Sequence, residues 1–243
     1  MEFSEFSSFL NTVSVDNKLS HLIDEDKSRK LYYLMKHMLE VNQSMNLTAI
    51  KEERAVVVRH FLDSLTVAAF LPENAKILDV GCGAGFPCLP LGICRPDLAI
   101  TALDSTEKRI KYVRDTAKAL EIPHFTAIAA RAEELAHDNA YREQFDVVTA
   151  RAVAALPALA ELSIPFVRLG GHFIAMKAKR GEEELAAAES AIQKLGGKVL
   201  RVHALTLVDG DDTDERLLID VEKIAHTQGA LPRAWGKIVK KPL

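Results

Sequence analysis

Three glycines at alternate positions, Gly81, Gly83 and Gly85, follow directly on the apolar run KILDV at 76–80. A short, β-branched, apolar run of this kind suits a parallel strand buried on both faces. The glycines that follow permit positive φ and a close approach of the backbone to another group. Residues 86–93 are apolar again and open a helix, so the N–H groups of the turn and of the first helical residues are aimed above the end of the strand. Strand, glycine turn and helix in that order predict a ligand with polar groups at the carboxyl end of the strand.

The residues on either side of the glycines narrow the ligand. A dinucleotide site uses GxGxxG to seat a pyrophosphate, with an acid about 20 residues on for the ribose. This chain has GxGxG, with Asp79 before it and Asp104 and Ser105 after the next apolar run, AITALD. An acid just ahead of the glycines repels a pyrophosphate and suits a ligand bearing an ammonium group. S-adenosylmethionine has a charged amino-acid tail, no phosphate, and a ribose diol for Asp104 to hold. A nicotinamide or other nucleotide and a purely structural turn are the competing readings.

From 76 onward, strand-like runs at 76–80, 98–103, 125–129, 145–149 and 172–177 alternate with helical stretches near 87–94, 106–120, 131–136, 154–168 and 182–195. Such alternation makes parallel strands joined by right-handed crossovers. The runs at 198–207 and 215–224, joined by the acidic VDGDDTD, read as a hairpin. The expectation is an α/β, Rossmann-like class, with a mostly parallel seven-stranded sheet and an antiparallel edge hairpin. Upstream, 3–15 and 16–42 read as helical, the second with Leu31, Leu34, Met35, Met38 and Leu39 on one face. Thr48 or a neighbour is placed to cap a further helix across 52–69. The division expected is a helical segment at 1–70 packed on the core, a donor-binding domain at 71–228 and a basic tail at 229–243.

Hydrophobic content of 48% supports one substantial core. No apolar run approaches the ~18–20 residues of a membrane span, and MEFSEF lacks the features of a secretory leader, so a cytoplasmic protein is expected. Cys82, Cys88 and Cys94 are spaced for neither paired disulfides nor zinc and read as small buried residues, with no metal expected. A net charge of −3 means that an RNA partner would be met by local basic patches.

The strings NLTAI (46–50), VVRHFLDSL (57–65), LDVGCGAGFPCLPL (78–91), LDS (103–105), RAEE (131–134), FDVVTARAVAAL (145–156) and PRAWGKIVKKPL (232–243) closely resemble the RsmG (GidB) family. Those enzymes are bacterial small-subunit rRNA methyltransferases acting on N7 of a guanine in 16S rRNA. The family usually has Thr or Ser at Cys82 and Gly at Cys88. The resemblance implies that Ala132 and Glu133 hold the adenosine part of S-adenosylmethionine. It also implies that Arg151 positions donor or guanine, and that the helix carrying Arg59, His60 and Asp63 lies over the donor pocket. Phe86 is expected to flank the donor.

The chemistry read at Arg151 fits that substrate. The strings of exocyclic-amine and C5 methyltransferases are missing after the fourth strand, and a guanidinium cannot act as a base. Guanine N7 has an exposed lone pair and no proton to lose, so transfer needs mainly alignment. Phosphate contacts are expected from Lys177, Lys179 and Arg180, and from the tail with Arg233, Lys237, Lys240 and Lys241. The partner expected is 16S rRNA or the small ribosomal subunit, met by a monomer. The alternatives are a small-molecule methyltransferase, and an RNA-binding assembly factor that keeps the donor pocket.

Overall fold

The structure is a computed structural model that describes residues 1–178 and 181–243; Lys179 and Arg180 lie outside the described residues. Helix α1 (Phe3–Asp16) and helix α2 (Glu25–Met45) come first. The single helix expected over 16–42 is broken ahead of Glu25, because Asn17 stops α1 and Asp24 starts α2 by accepting the Lys27 N–H at 2.9 Å. The Asn17 side chain also donates to the Val208 carbonyl and accepts the Val208 N–H, both at 2.9 Å, tying the end of α1 to a distant strand. Leu31, Leu34, Met35 and Met38 are buried as their spacing predicts. Asn46, at φ 48°, ends α2 in the left-handed region that Asn tolerates.

The next helix starts at α3 (Glu53–Val56), passes through a π-helical turn at Val57–Leu62 and ends as α4 (Asp63–Leu65). Its cap is the Glu52 carboxylate rather than Thr48. Then come β1 (Lys76–Val80), α5 (Cys88–Cys94), β2 (Ala99–Asp104), α6 (Glu107–Ala119), β3 (Phe125–Ala129), α7 (Ala132–Leu135), β4 (Phe145–Arg151), α8 (Leu156–Ser163), β5 (Val167–Ala178), α9 (Gly181–Lys194), β6 (Gly197–Asp209), β7 (Asp212–Lys223) and α10 (Trp235–Lys240).

The strands form one seven-stranded sheet in the order β3-β2-β1-β4-β5-β7-β6. β1 to β5 pair in parallel, and β7 pairs antiparallel with both β5 and β6. Strand β5 begins five residues earlier than its apolar run suggested. Arg168 Nε donates to Asp146 at 2.6 Å and holds this extension against β4, and a register shift between Phe145 and Val147 absorbs the mismatch. Among the described residues no helix is long and apolar enough to cross a membrane.

Alternation along the strands splits the core. Ile77, Val147 and Ile174 face the side covered by α2, α5 and the 53–65 helix, and Leu78, Val148 and Phe173 face the side covered by α8 and α9. This assigns Asp79, Thr149 and Arg151 to the first face, beneath the N-terminal helices. The order reverses between β1 and β4, so the cleft above their carboxyl ends is the place for a ligand.

Asn17→Ala is expected to lose about 1–2 kcal/mol of stability, since it leaves both polar groups of Val208 unpaired. Asn17→Asp should recover only part of this, because a carboxylate accepts the N–H but cannot serve the carbonyl. Urea unfolding of the three proteins checks the order.

Candidate functional site

The glycine turn forms one wall of a cavity of about 450 Å³ above β1 and β2. Gly81, Gly83 and Gly85 have φ of 71°, 55° and 91°. At Gly81 a Cβ would also lie 2.5 Å from Val153 Cγ2, so the turn admits no side chain there. The Gly83 N–H donates to Asp104 Oδ2 at 3.0 Å and the Thr106 N–H to Oδ1 at 2.8 Å. Asp104 is thereby fixed at the end of β2, and each oxygen keeps acceptor capacity for a diol.

Ser105, Ala132, Glu133 and Phe86 line the same cavity, as do Gly81, Gly83 and Arg151. Gly85 lies behind the wall, where a Cβ would meet Leu89 at 2.3 Å. Glu133 is buried in the first turn of α7, and its carboxylate has no hydrogen-bond or ion-pair partner among the described residues. Glu133 lines the cavity, and an acceptor there with no protein partner is free to take a donor from a ligand. Together, the open turn, the fixed acid at the end of β2 and this carboxylate fit a nucleoside whose other end needs backbone donors and no phosphate pocket.

Asp79 does not line the cavity. Strand alternation turns it under α5, where it accepts the Cys88 N–H and the Thr149 hydroxyl, each at 3.3 Å. It is 1% exposed. It shapes the turn from below and reaches a ligand only through its charge. Burial raises its pKa to about 6, against the lowering effect of the hydrogen bonds from Cys88 and Thr149 and of the Arg151 charge.

Beyond Phe86 the wall is a chain of polar groups. His60 stacks on the Phe86 ring with centroids 4.3 Å apart and planes 6° from parallel. Arg151 Nη2 donates to His60 Nδ1 at 3.2 Å, which places the ring proton on Nε2, directed at Thr48 Oγ1 2.9 Å away. Thr48 is fixed by Asn42, which exchanges two hydrogen bonds with its backbone at 2.9 and 3.0 Å. Burial, with Arg151 beside it, lowers the His60 pKa to about 3, so the ring is neutral. Arg151 Nη1 donates to Asp63 Oδ2 at 2.7 Å, and Arg216 Nε to Asp63 Oδ1 at 2.8 Å. A second cavity, of about 630 Å³, lies on the far side of His60, Arg151 and Val153 and extends to Met176 and Arg216.

Two expected phosphate contacts are already engaged. Lys177 Nζ donates to the Ala154 carbonyl and to Glu184 Oε2, both at 2.7 Å, and its side chain is 9% exposed. Arg233 donates through its backbone N–H, Nε and Nη2 to the fully buried Glu161, at 2.9, 2.8 and 2.6 Å. A lysine and an arginine so paired hold structure together, with their charges already directed at internal carboxylates. Lys179 and Arg180 lie outside the described residues, whereas Lys240 and Lys241 are exposed. Arg59 points outward to Asp214.

Asp63, Arg216, Thr48, Thr106, Arg109 and Trp235 also belong to the site or its supports, in roles that the sequence did not announce. Trp235 carried a signal, being the chain's only tryptophan and lying in a basic tail. Asp63 and Arg216 meet only through the fold.

Asp79→Asn is expected to stabilise the protein at pH 7.5 by about 1–3 kcal/mol. The raised pKa means that the folded state holds this proton more tightly than the unfolded chain does. The contribution is therefore fully present below the ordinary value of 3.8 and is lost as pH rises through about 6. Unfolding by urea at pH 4 and pH 7.5 should show the gain only at the higher pH.

Comparisons with known proteins find relatives over most of the chain. Residues 26–212 match the family model GidB, described as rRNA small subunit methyltransferase G. The chain is 42% identical to Ribosomal RNA small subunit methyltransferase G of Lactobacillus delbrueckii subsp. bulgaricus over 240 residues, covering 97% of this chain and 98% of the relative. It is 45% identical to the protein of that name from Deinococcus deserti, covering 84% of each. Among solved structures, the [4+2]-cyclase SpnF aligns with a TM-score of 0.56 at 15% identity, covering 82% of this chain and 97% of that one. M. jannaschii TYW2 in complex with AdoMet aligns at 0.52 and 16% identity, covering 67% and 75%. These two share the fold. The extent of the family match and the identity of the full-length relatives show that the chain belongs to the GidB family, the rRNA small subunit methyltransferases G.

Proposed function

We propose that this protein transfers the methyl group of S-adenosylmethionine to N7 of a guanine in 16S rRNA, with the donor in the cavity above β1 and β2 and the base entering from the second cavity. Bound there, S-adenosylmethionine supplies a methyl group on a positively charged sulfur. Asp104 takes the ribose, Ala132 and Glu133 the adenine edge, and the backbone of the glycine turn the amino-acid tail. Asp79 favours the ammonium of that tail through its charge.

The observation that carries the choice of N7 is the state of the groups where the two cavities meet. His60 has its Nδ1 lone pair occupied by Arg151 and its pKa held at about 3, so it takes up no proton at neutral pH. Asp63 is shared between two arginines, and Glu184 accepts from Lys177 and from the Leu156 N–H. No general base is offered at the junction among the described residues. Methylation of a ring nitrogen that already bears a lone pair requires none; what it requires is orientation. Arg151 provides that by fixing His60 flat on Phe86, and it keeps further N–H groups for the base. Exposed Lys237, Lys240 and Lys241 supply the basic patch for the RNA backbone, and a reaction on ribosomal RNA implies the cytoplasm.

Labelled donor incubated with small subunits or total rRNA should deliver label to N7 of a guanine. Transfer to small metabolites alone would replace the RNA reading with a small-molecule one. Arg151→Gln should cut the methylation rate at least 10-fold with donor affinity changed only a few-fold; donor binding without turnover in the wild type would point to an assembly factor. Neutralising Lys237, Lys240 and Lys241 should flatten the dependence of log affinity for RNA on log salt, by about 0.7 to 0.9 for each phosphate that the tail no longer neutralises. An unchanged slope would show that the tail does not touch the RNA backbone.

A further inference from the structure

We propose that the C-terminal segment carrying α10 completes the donor site, with the Trp235 indole as the wall against which the adenine of the bound nucleoside packs. This rests on the reading of the cavity as the methyl-donor site. Trp235 lines the same cavity as Ala132 and Glu133, the pair assigned to the adenine, and packs against the same core cluster as Ala132. An indole offers a rigid apolar face matched to a purine.

The segment is anchored on both sides of that tryptophan. Ahead of it, the guanidinium and N–H of Arg233 close on Glu161 of α8, which is fully buried. His137 Nε2 lies 2.9 Å from the Pro232 carbonyl, and Arg142 Nη1 donates to the Leu231 carbonyl at 2.9 Å. After it, Ile238 is completely buried. A tail serving only as a flexible set of charges would need none of these ties, whereas a wall that must hold its place in a ligand site needs several. Arg233, expected to touch phosphate, instead acts as the latch.

Trp235 is the only tryptophan in the chain, so its emission reports on this wall alone. Titration of the full-length protein with S-adenosylhomocysteine, followed in parallel by calorimetry and tryptophan fluorescence, should show emission changing along the same binding curve as the heat. Trp235→Ala should weaken binding about 5- to 100-fold, the range that loss of one base-stacking aromatic brings, and Trp235→Phe should restore most of it. Heat with no change in emission, or Trp235→Ala binding within two-fold of the wild type, would overturn the proposal and leave the donor site standing. The absence of heat at any concentration would remove the donor reading and this inference with it. Should Trp235→Ala fail to fold, the fluorescence of the wild type still decides.

Discussion

The Asp63 carboxylate ties together three parts of the molecule that the chain order keeps apart. It sits at the end of the 53–65 helix and accepts from Arg151 on β4 and Arg216 on β7, at 2.7 and 2.8 Å. Its side chain is 9% exposed, so the charges are largely withdrawn from water and depend on one another. Breaking such a buried arrangement costs about 3–5 kcal/mol, because the partner left behind cannot easily be resolvated. The bridge gives the N-terminal helices a fixed height over the strand ends, and the walls of both cavities follow from that height.

From the same guanidinium a second line of contacts runs to His60, Thr48 and Asn42. Each donor along it has a defined acceptor, so the imidazole has one tautomer and one orientation, stacked on Phe86. A polar network satisfied along its length is rigid, and in the low dielectric of a protein interior it resists reprotonation. The ring therefore contributes a flat, neutral surface, where an ordinary histidine would change charge near neutral pH. The sheet below has a matching division: Asp104 at the end of β2 lines the cavity, whereas Asp79, inside β1, shapes the turn from beneath.

Much of this was legible in the sequence, because strands and turns are written locally. Each of the seven strand-like runs holds a strand, though β5 starts earlier and the hairpin strands run on into VDGDDTD, and Asp104, Ser105, Ala132 and Glu133 come together because each lies at or just beyond the end of a strand in a parallel sheet. The side taken by Asp79 follows from period-two alternation with Ile77, whereas its charge alone points to a ligand. What could not be read is pairing at a distance. Arg233 looked free in a tail with no acid of its own, and its partner Glu161 lies on α8, 72 positions away. Lys177 looked like part of an exposed basic run until α9 brought Glu184 over it. Asn17 broke a helix that its local spacing allowed to continue, through a contact with Val208 on β6.

The three thiols around the donor turn have a consequence of their own. Cys82, Cys88 and Cys94 are free and buried; burial holds Cys88 well above the ordinary thiol range and pushes Cys94 up to about 12. Alkylation proceeds through the thiolate, so near neutral pH Cys88 and Cys94 react only in molecules whose α5 has opened, whereas Cys82 lines the cavity. The protein thus carries an internal clock for breathing of its first crossover, and occupancy of the cleft should slow that clock without any label being added.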